Sequence, residues 1–297
     1  MSSGIALCGM ADAQAQQAND KRPIVTGASM LFGVYDPHGD FNDDTGPSIE
    51  HIFLPWEDVD LGTLTTADNY AIAHRRSLLV TVEPWSWLAR EQHTPTELYD
   101  LIMQGRLDQN MGDICARTAV LRSPVTIRWG QEMEVDHGQF IWSSWSPQQF
   151  ISAFQHVVTV CRRYDRAARY MWSPLGEANL AIYYPGDDYV DMVGVTLFGL
   201  QQRDQNEVGR DRSFEDMLAP LYERVAGFNK PVYVAEFGYD GDAAYVRDWA
   251  RTVTRPMFAF PLLRGVIYFD DREVYPWPDG YGLPDWRVTA SPTPLKK

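Results

Sequence analysis

Eight short, apolar, β-rich runs recur along the chain, and this feature limits the fold more than any other. They cover residues 30–35, 49–54, 77–83, 124–129, 168–173, 192–197, 231–236 and 265–269. Their apolar character is nearly continuous, not alternating, as expected of strands buried on both faces in a parallel sheet covered by helices. The segments between them carry helical period. Thr94-Pro95-Thr96-Glu97 and Ser146-Pro147-Gln148-Gln149 each place an N-cap hydroxyl before a first-turn proline. Ser213 to Asp216 reads as a capping box before Met217, Leu218, Leu221, Tyr222 and Val225, and residues 242–260 supply a further helix. Eight such units over about 250 residues fit an α/β fold of the (β/α)8 TIM-barrel type. The crossover at 36–48 is too polar and too rich in Gly and Pro for a helix, so the barrel is irregular there. A doubly wound open sheet is the runner-up. It normally has a Gly-rich phosphate turn after its first strand, and Gly27-Ala28-Ser29 is not one.

The barrel occupies residues 23–297 as a single domain, with no linker and no internal repeat. Residues 1–22 read as a signal remnant or a disordered start. A short apolar stretch is followed by Ala13-Gln14-Ala15, a small-x-small pattern that favours a secreted or periplasmic protein, although no basic residue precedes it. No other run reaches 18 apolar residues, so no membrane span is expected. Lys and Arg number 26 against 40 Asp and Glu, a formal charge of −14, which disfavours a grip on nucleic acid or anionic lipid. Three cysteines exclude a disulfide framework. Cys115 and Cys161 fall in helical stretches, where small buried hydrophobes are the expectation and pairing is the minor alternative. The six histidines show no metal-ligand spacing, and Asp40, Asp43 and Asp44 read as a solvated acidic loop. Neither a metal nor an organic cofactor is expected.

In barrels of this type the chemistry sits at the C-terminal ends of the strands. Those ends carry Asp36, Trp56, Glu83, Trp85, Trp87, Arg128, Gln131, Glu132, Trp172, Phe198, Glu236, Tyr239 and Asp270. Carboxylates can take sugar hydroxyls while ring faces stack on sugar CH groups, so the inventory suits a β-linked polysaccharide or oligosaccharide better than an apolar ligand. Glu132 and Glu236 stand out because they close the fourth and seventh runs, whose ends meet across a barrel mouth. Glycoside cleavage needs two carboxyl groups, one to protonate the leaving oxygen and one to attack or to activate water. Glu83 and Asp270 are the substitutes if that pair is wrong.

Several of these residues belong to stretches that resemble glycoside hydrolase family 26. They are Arg128-x-x-Gln131-Glu132-Met133, Trp172-Ser173-Pro174, Tyr183-Tyr184-Pro185-Gly186-Asp187-Asp188-Tyr189-Val190-Asp191-x-Val193-Gly194 and Ala235-Glu236-Phe237-Gly238. The resemblance implies a retaining β-glycanase on a (β/α)8 barrel, with Glu132 as acid/base, Glu236 as nucleophile, Arg128 tuning the nucleophile and Trp172 supporting the sugar. Two positions depart from the family pattern: Gln131 stands where His is usual, and Leu197-Phe198-Gly199 stands where a Tyr is usual. Both touch the expected site of the reacting sugar, which opens bacterial exopolysaccharide as a substrate beside mannan. Arg128, Gln131, Trp172, Phe198, Tyr239, Trp85, Trp142 and Asp270 are the candidate substrate contacts, with Trp85, Trp87, Trp142 and Trp145 as outer sugar platforms.

Overall fold

In a computed structural model, residues 20–25, 30–88, 92–136, 138–293 and 295 are described. The apolar start of the chain and the Ala13-Gln14-Ala15 pattern lie outside the described residues. Eight parallel strands close into a barrel in chain order: β1 (Leu31–Tyr35), β2 (Ile49–Pro55), β3 (Ser77–Glu83), β4 (Val125–Trp129), β5 (Arg169–Trp172), β6 (Met192–Leu200), β7 (Val232–Asp240) and β8 (Leu263–Phe269), with β8 pairing back onto β1. Each expected run contains a strand. The helices are α1 (Gly62–His74), α2 (Pro95–Met103), α3 (Asp108–Thr118), α4 (Pro147–Cys161), α5 (Gln201–Val208), α6 (Phe214–Ala226) and α7 (Ala243–Thr252). No helix among the described residues is long and apolar enough to cross a membrane.

Local signals place several of these helices. Thr94, Ser146 and Ser213 each accept from the backbone N–H three residues on, and Glu97, Gln149 and Asp216 close the capping boxes in return. Helix α7 ends at Thr252, well short of residue 260, because Pro256 disfavours helical backbone before it. No helix joins β1 to β2, as the polar crossover implies, and a single 3-10 turn, Leu180–Tyr183, stands in for one between β5 and β6.

Two expectations are corrected. Cys115 in α3 and Cys161 in α4 form a disulfide, with Cα atoms 5.3 Å apart. Both residues are fully buried and their helices pack side by side, so tertiary geometry brings together two thiols that lie 46 positions apart in sequence. The packed chain also begins before residue 23. Lys21 is fully buried, pairs with Asp240 at 2.6 Å, donates to the Asp285 carbonyl at 2.7 Å and accepts a hydrogen bond from the Tyr239 hydroxyl at its own carbonyl.

Strand alternation divides the side chains into an outer layer against the helices and an inner one. At the N-terminal end the barrel is plugged by Ile49, Leu79, Met171, Met192, Ala235 and Ile267. Gly33 faces this plug because a Cβ there would meet Ile49 and Ile267 at under 3 Å. Above the plug the interior turns polar. His51, Thr81, Arg128 and Ser173 form a hydrogen-bonded belt, with His51 to Thr81 at 2.7 Å and Arg128 Nε to Ser173 Oγ at 2.8 Å.

Candidate active site

Arg128 is the pivot of the barrel mouth. Its Nη1 donates to Glu236 Oε1 at 2.5 Å, and Nη2, which is buried and makes no hydrogen bond of its own, stands 4.0 Å from Glu132 Oε1. One guanidinium therefore faces both carboxylates. Glu236 reaches this position through a β-bulge. Val195 pairs with Val234 and Thr196 with Glu236, so β7 holds one extra residue and Ala235 and Glu236 both turn inward. Strict alternation would have sent Glu236 to the helical layer.

Glu132 lies just past β4 with φ of 56°, a left-handed conformation that costs a non-glycine residue free energy. Its N–H donates to the Ser173 carbonyl at 2.8 Å, and the Trp142 indole donates to the Gln131 carbonyl at 2.6 Å, so the surrounding packing imposes the strained turn. The Thr196 hydroxyl donates to Glu132 Oε1 at 2.5 Å. Burial, and then the negative charge of Glu236, push the Glu132 carboxyl up to about 8. Burial also raises Glu236, but there the charge and hydrogen bond of Arg128 oppose it. Of the two, the carboxylate in direct contact with the guanidinium ionises first. The mouth thus holds one carboxyl group whose surroundings favour its proton and a second whose ionised form is supported by direct contact with Arg128.

Glu83 completes the polar floor. It accepts from Gln131 Nε2 at 3.0 Å, from Trp85 Nε1 at 2.9 Å and from Trp87 Nε1 at 2.8 Å, so it orients neighbours and has no oxygen left free. Gln131 keeps a buried Oε1 with no partner. Phe198 stacks on Trp286 at 4.7 Å and meets Phe269 and Trp277 edge-on, and Tyr35 stacks on Phe269 at 5.0 Å. Burial and the charges of Asp271, Glu236 and Glu83 push the Tyr35 hydroxyl up to about 12, so it remains a hydrogen-bond donor.

The structure brings Arg128, Gln131, Glu132, Glu236, Phe198 and Trp85 to one end of the barrel and places five other candidates elsewhere. Trp142 is fully buried, and Trp145, donating to the Pro95 carbonyl, is nearly so; neither has a free face for a sugar. Trp85 is also packed, against Trp142 and Phe140, whereas neighbouring Trp87 is 58% exposed and offers its ring. Trp172 points outward into Tyr184 and Phe228, because alternation along β5 turns Met171 and Ser173 inward instead. Tyr239 shares the outward side of β7 with Phe237 and packs on Trp249, beyond reach of the mouth. Asp270 follows the last β8 residue, is fully buried and binds the Val288 N–H at 2.7 Å.

Thr196, Tyr35 and Trp277 were missed. Thr196 lies inside a run of nearly continuous apolar character, although its place two residues after inward Gly194 is a usable signal. Tyr35 was masked in the same way, and Trp277 arrives from a loop with no periodicity.

No protein-family model matches the chain. It is 21% identical over 268 residues to Endoglucanase H of Acetivibrio thermocellus; the match covers 83% of this chain but 26% of that protein, so the chain spans about a quarter of this curated relative. Among solved structures, a modular endo-β-1,4-mannanase from Cellulomonas fimi superposes with a TM-score of 0.64 at 14% identity, covering 87% of this chain and 67% of that one. A family 26 β-mannanase from Bacteroides ovatus gives 0.58 at 18% identity, with 90% and 84% covered. A Thermotoga maritima protein solved with mannotriose gives 0.58 at 13%, with 86% and 92% covered. The chain therefore has the (β/α)8 fold of the family 26 glycoside hydrolases.

Proposed function

We propose that the protein is a retaining endo-β-glycanase that cleaves a β-linked polysaccharide by double displacement. The observation that carries this reading is the shared guanidinium, which contacts inward Glu236 at 2.5 Å and stands 4.0 Å from inward Glu132, and so favours the charged form of the first over that of the second. Glycosidases of this class need that division between nucleophile and acid. The endoglucanase relative and the mannanase neighbours support the substrate class.

In this reading Glu236 attacks the anomeric carbon while Glu132 protonates the departing glycosidic oxygen. A glycosyl–enzyme ester forms and the aglycone leaves. Glu132, now ionised, takes a proton from water as that water attacks the same carbon, and Glu236 is released as carboxylate. Arg128 supports Glu236 in both charged states, and Thr196 fixes the direction of the Glu132 carboxyl. Trp87 and Trp277 serve as sugar platforms, and Gln131 and Tyr35 present polar groups to hydroxyls. The replacement of the family's His and Tyr by Gln131 and Phe198 favours a bacterial exopolysaccharide over unsubstituted mannan. Export fits the Cys115–Cys161 bridge, since such bonds persist in oxidising compartments.

Incubation with an activated 2-deoxy-2-fluoroglycoside should add one glycosyl mass, and peptide mapping should place it on Glu236. Proton NMR of fresh product should show the β-anomer first. An unlabelled protein that still binds oligosaccharide would be a sugar-binding barrel without turnover, and first release of the α-anomer would replace double displacement with inversion. A panel of defined mannans, glucans and exopolysaccharides decides the polymer.

A further inference from the structure

Behind the aromatic wall of the mouth, β1 and β8 run directly into two carboxylates that the reaction does not use. Asp36 follows Tyr35, Asp270 follows Phe269, and the rings of Tyr35 and Phe269 stack on each other. Asp40 joins them from the β1–β2 crossover. One carboxylate oxygen from each of Asp36, Asp40 and Asp270 lies within 4.8 Å of the others. The acidic crossover loop therefore does gather carboxylates, but Asp40 does so with Asp36 and Asp270 and not with Asp43 and Asp44.

Hydrogen-bond accounting shows what this cluster lacks. Asp36 is held by the N–H groups of Asp40 at 2.9 Å and Phe41 at 2.8 Å, which fixes the loop. Asp270 is fully buried; its Oδ1 accepts from Val288, and its Oδ2 is buried with no donor at all. A buried carboxylate with one oxygen unpartnered, beside two more carboxylates, is expensive unless a cation or a proton sits between them. The nearby basic side chains are turned elsewhere. His38 bonds Asp271 at 3.1 Å, Lys21 pairs with Asp240, and Arg22 donates to the Asp40 carbonyl and lies 3.4 Å from Asp44.

We propose that Asp36, Asp40 and Asp270 bind a calcium ion that ties the β1–β2 crossover to the end of β8 and, through Val288, to the C-terminal segment. Three carboxylates make a hard, all-oxygen donor set with a strong negative charge. Asp36 and Asp40 remain partly exposed, so water can complete the irregular shell that calcium tolerates and magnesium does not. The ion stiffens the loop carrying Asp36, directly after Tyr35, and so steadies that wall of the mouth, whatever the protein cleaves.

The test needs no substrate. The full-length chain, stripped with a chelator and dialysed, is titrated with calcium chloride and followed by calorimetry and by melting temperature. Binding in the micromolar to millimolar range and a rise in Tm of about 5 °C near a hundredfold excess over Kd are expected. Asp40→Asn, which leaves the loop-fixing bonds to Asp36 intact, should melt near the stripped wild type and lose the response. No heat and no shift with millimolar calcium overturns the proposal, as does a full response in Asp40→Asn or an equal response to magnesium. A wild type whose Tm fails to respond to calcium at both pH 6 and pH 8 also overturns it, because a shared proton then holds the triad.

Discussion

The two ends of the barrel are built from the same eight strands and differ in almost every physical respect. At the N-terminal end, inward Ile49, Leu79, Met171, Met192, Ala235 and Ile267 close into an apolar plug beside a cavity of about 450 Å³ that holds none of the candidate residues. A few ångströms up the same strands, the inward positions become Glu83, Arg128, Thr196 and Glu236, buried polar groups whose burial is offset by mutual hydrogen bonds. The plug stabilises the closed sheet, and the mouth uses that rigidity to hold groups whose surroundings shift their proton affinity. Side chains at the plug should therefore control stability, and side chains at the mouth should control turnover.

The largest effect expected at the mouth is from Glu236→Gln, which should lower kcat by roughly 10⁴-fold or more while circular dichroism stays native. With Glu236 neutral, Arg128 is left to Glu132 alone, so the Glu132 carboxyl should titrate at lower pH; carboxyl chemical shifts would register this. Near-normal turnover in this variant breaks the comparison at its centre. Met171→Ala is the matching change at the plug. It should cost about 3 kcal/mol in denaturant melts and leave kcat within about twofold, and a catalytic loss as large as the first would show that plug and mouth are one functional unit.

Thr196→Val sharpens the description of the mouth. Its hydroxyl holds the charged form of Glu132, so its loss should raise that carboxyl further, move the alkaline limb of the activity profile upward and cost about tenfold in kcat. A profile that does not move would leave Thr196 a packing residue. The smallest effect is on stability against pH. Folded Glu132 holds its proton up to about 8, and Glu50, raised mainly by burial, up to about 7, against an ordinary value of 4.5 for both. Between those values the folded chain carries more protons than the unfolded one, so stability falls as pH rises from about 4.5 to 8. Glu132→Gln should flatten part of that fall, measured as Tm across the range.

Much of the fold was legible in advance because buried parallel strands need long apolar runs and helices need caps, and both are written locally. Of the candidate site, Arg128, Gln131, Glu132 and Glu236 were legible because they terminate such runs. Trp172 and Tyr239 were misplaced for a common reason: proximity to a strand end does not say which side of the sheet a side chain takes. Period-two alternation decides that, and it would have turned Trp172 and Tyr239 outward once Arg128 and Gly238 were fixed inward.

Sequence by itself determined the barrel, the number of strands and the ends at which charge gathers, since those follow from local hydrophobic pattern and capping. Tertiary structure alone decided the bulge at Ala235 and Glu236, the left-handed turn at Glu132, the Cys115–Cys161 bridge and the Asp36, Asp40 and Asp270 cluster. Each of these depends on residues far apart in the chain meeting at ångström distances. A one-residue change in register redirects a side chain across the sheet without altering the composition of the run that contains it.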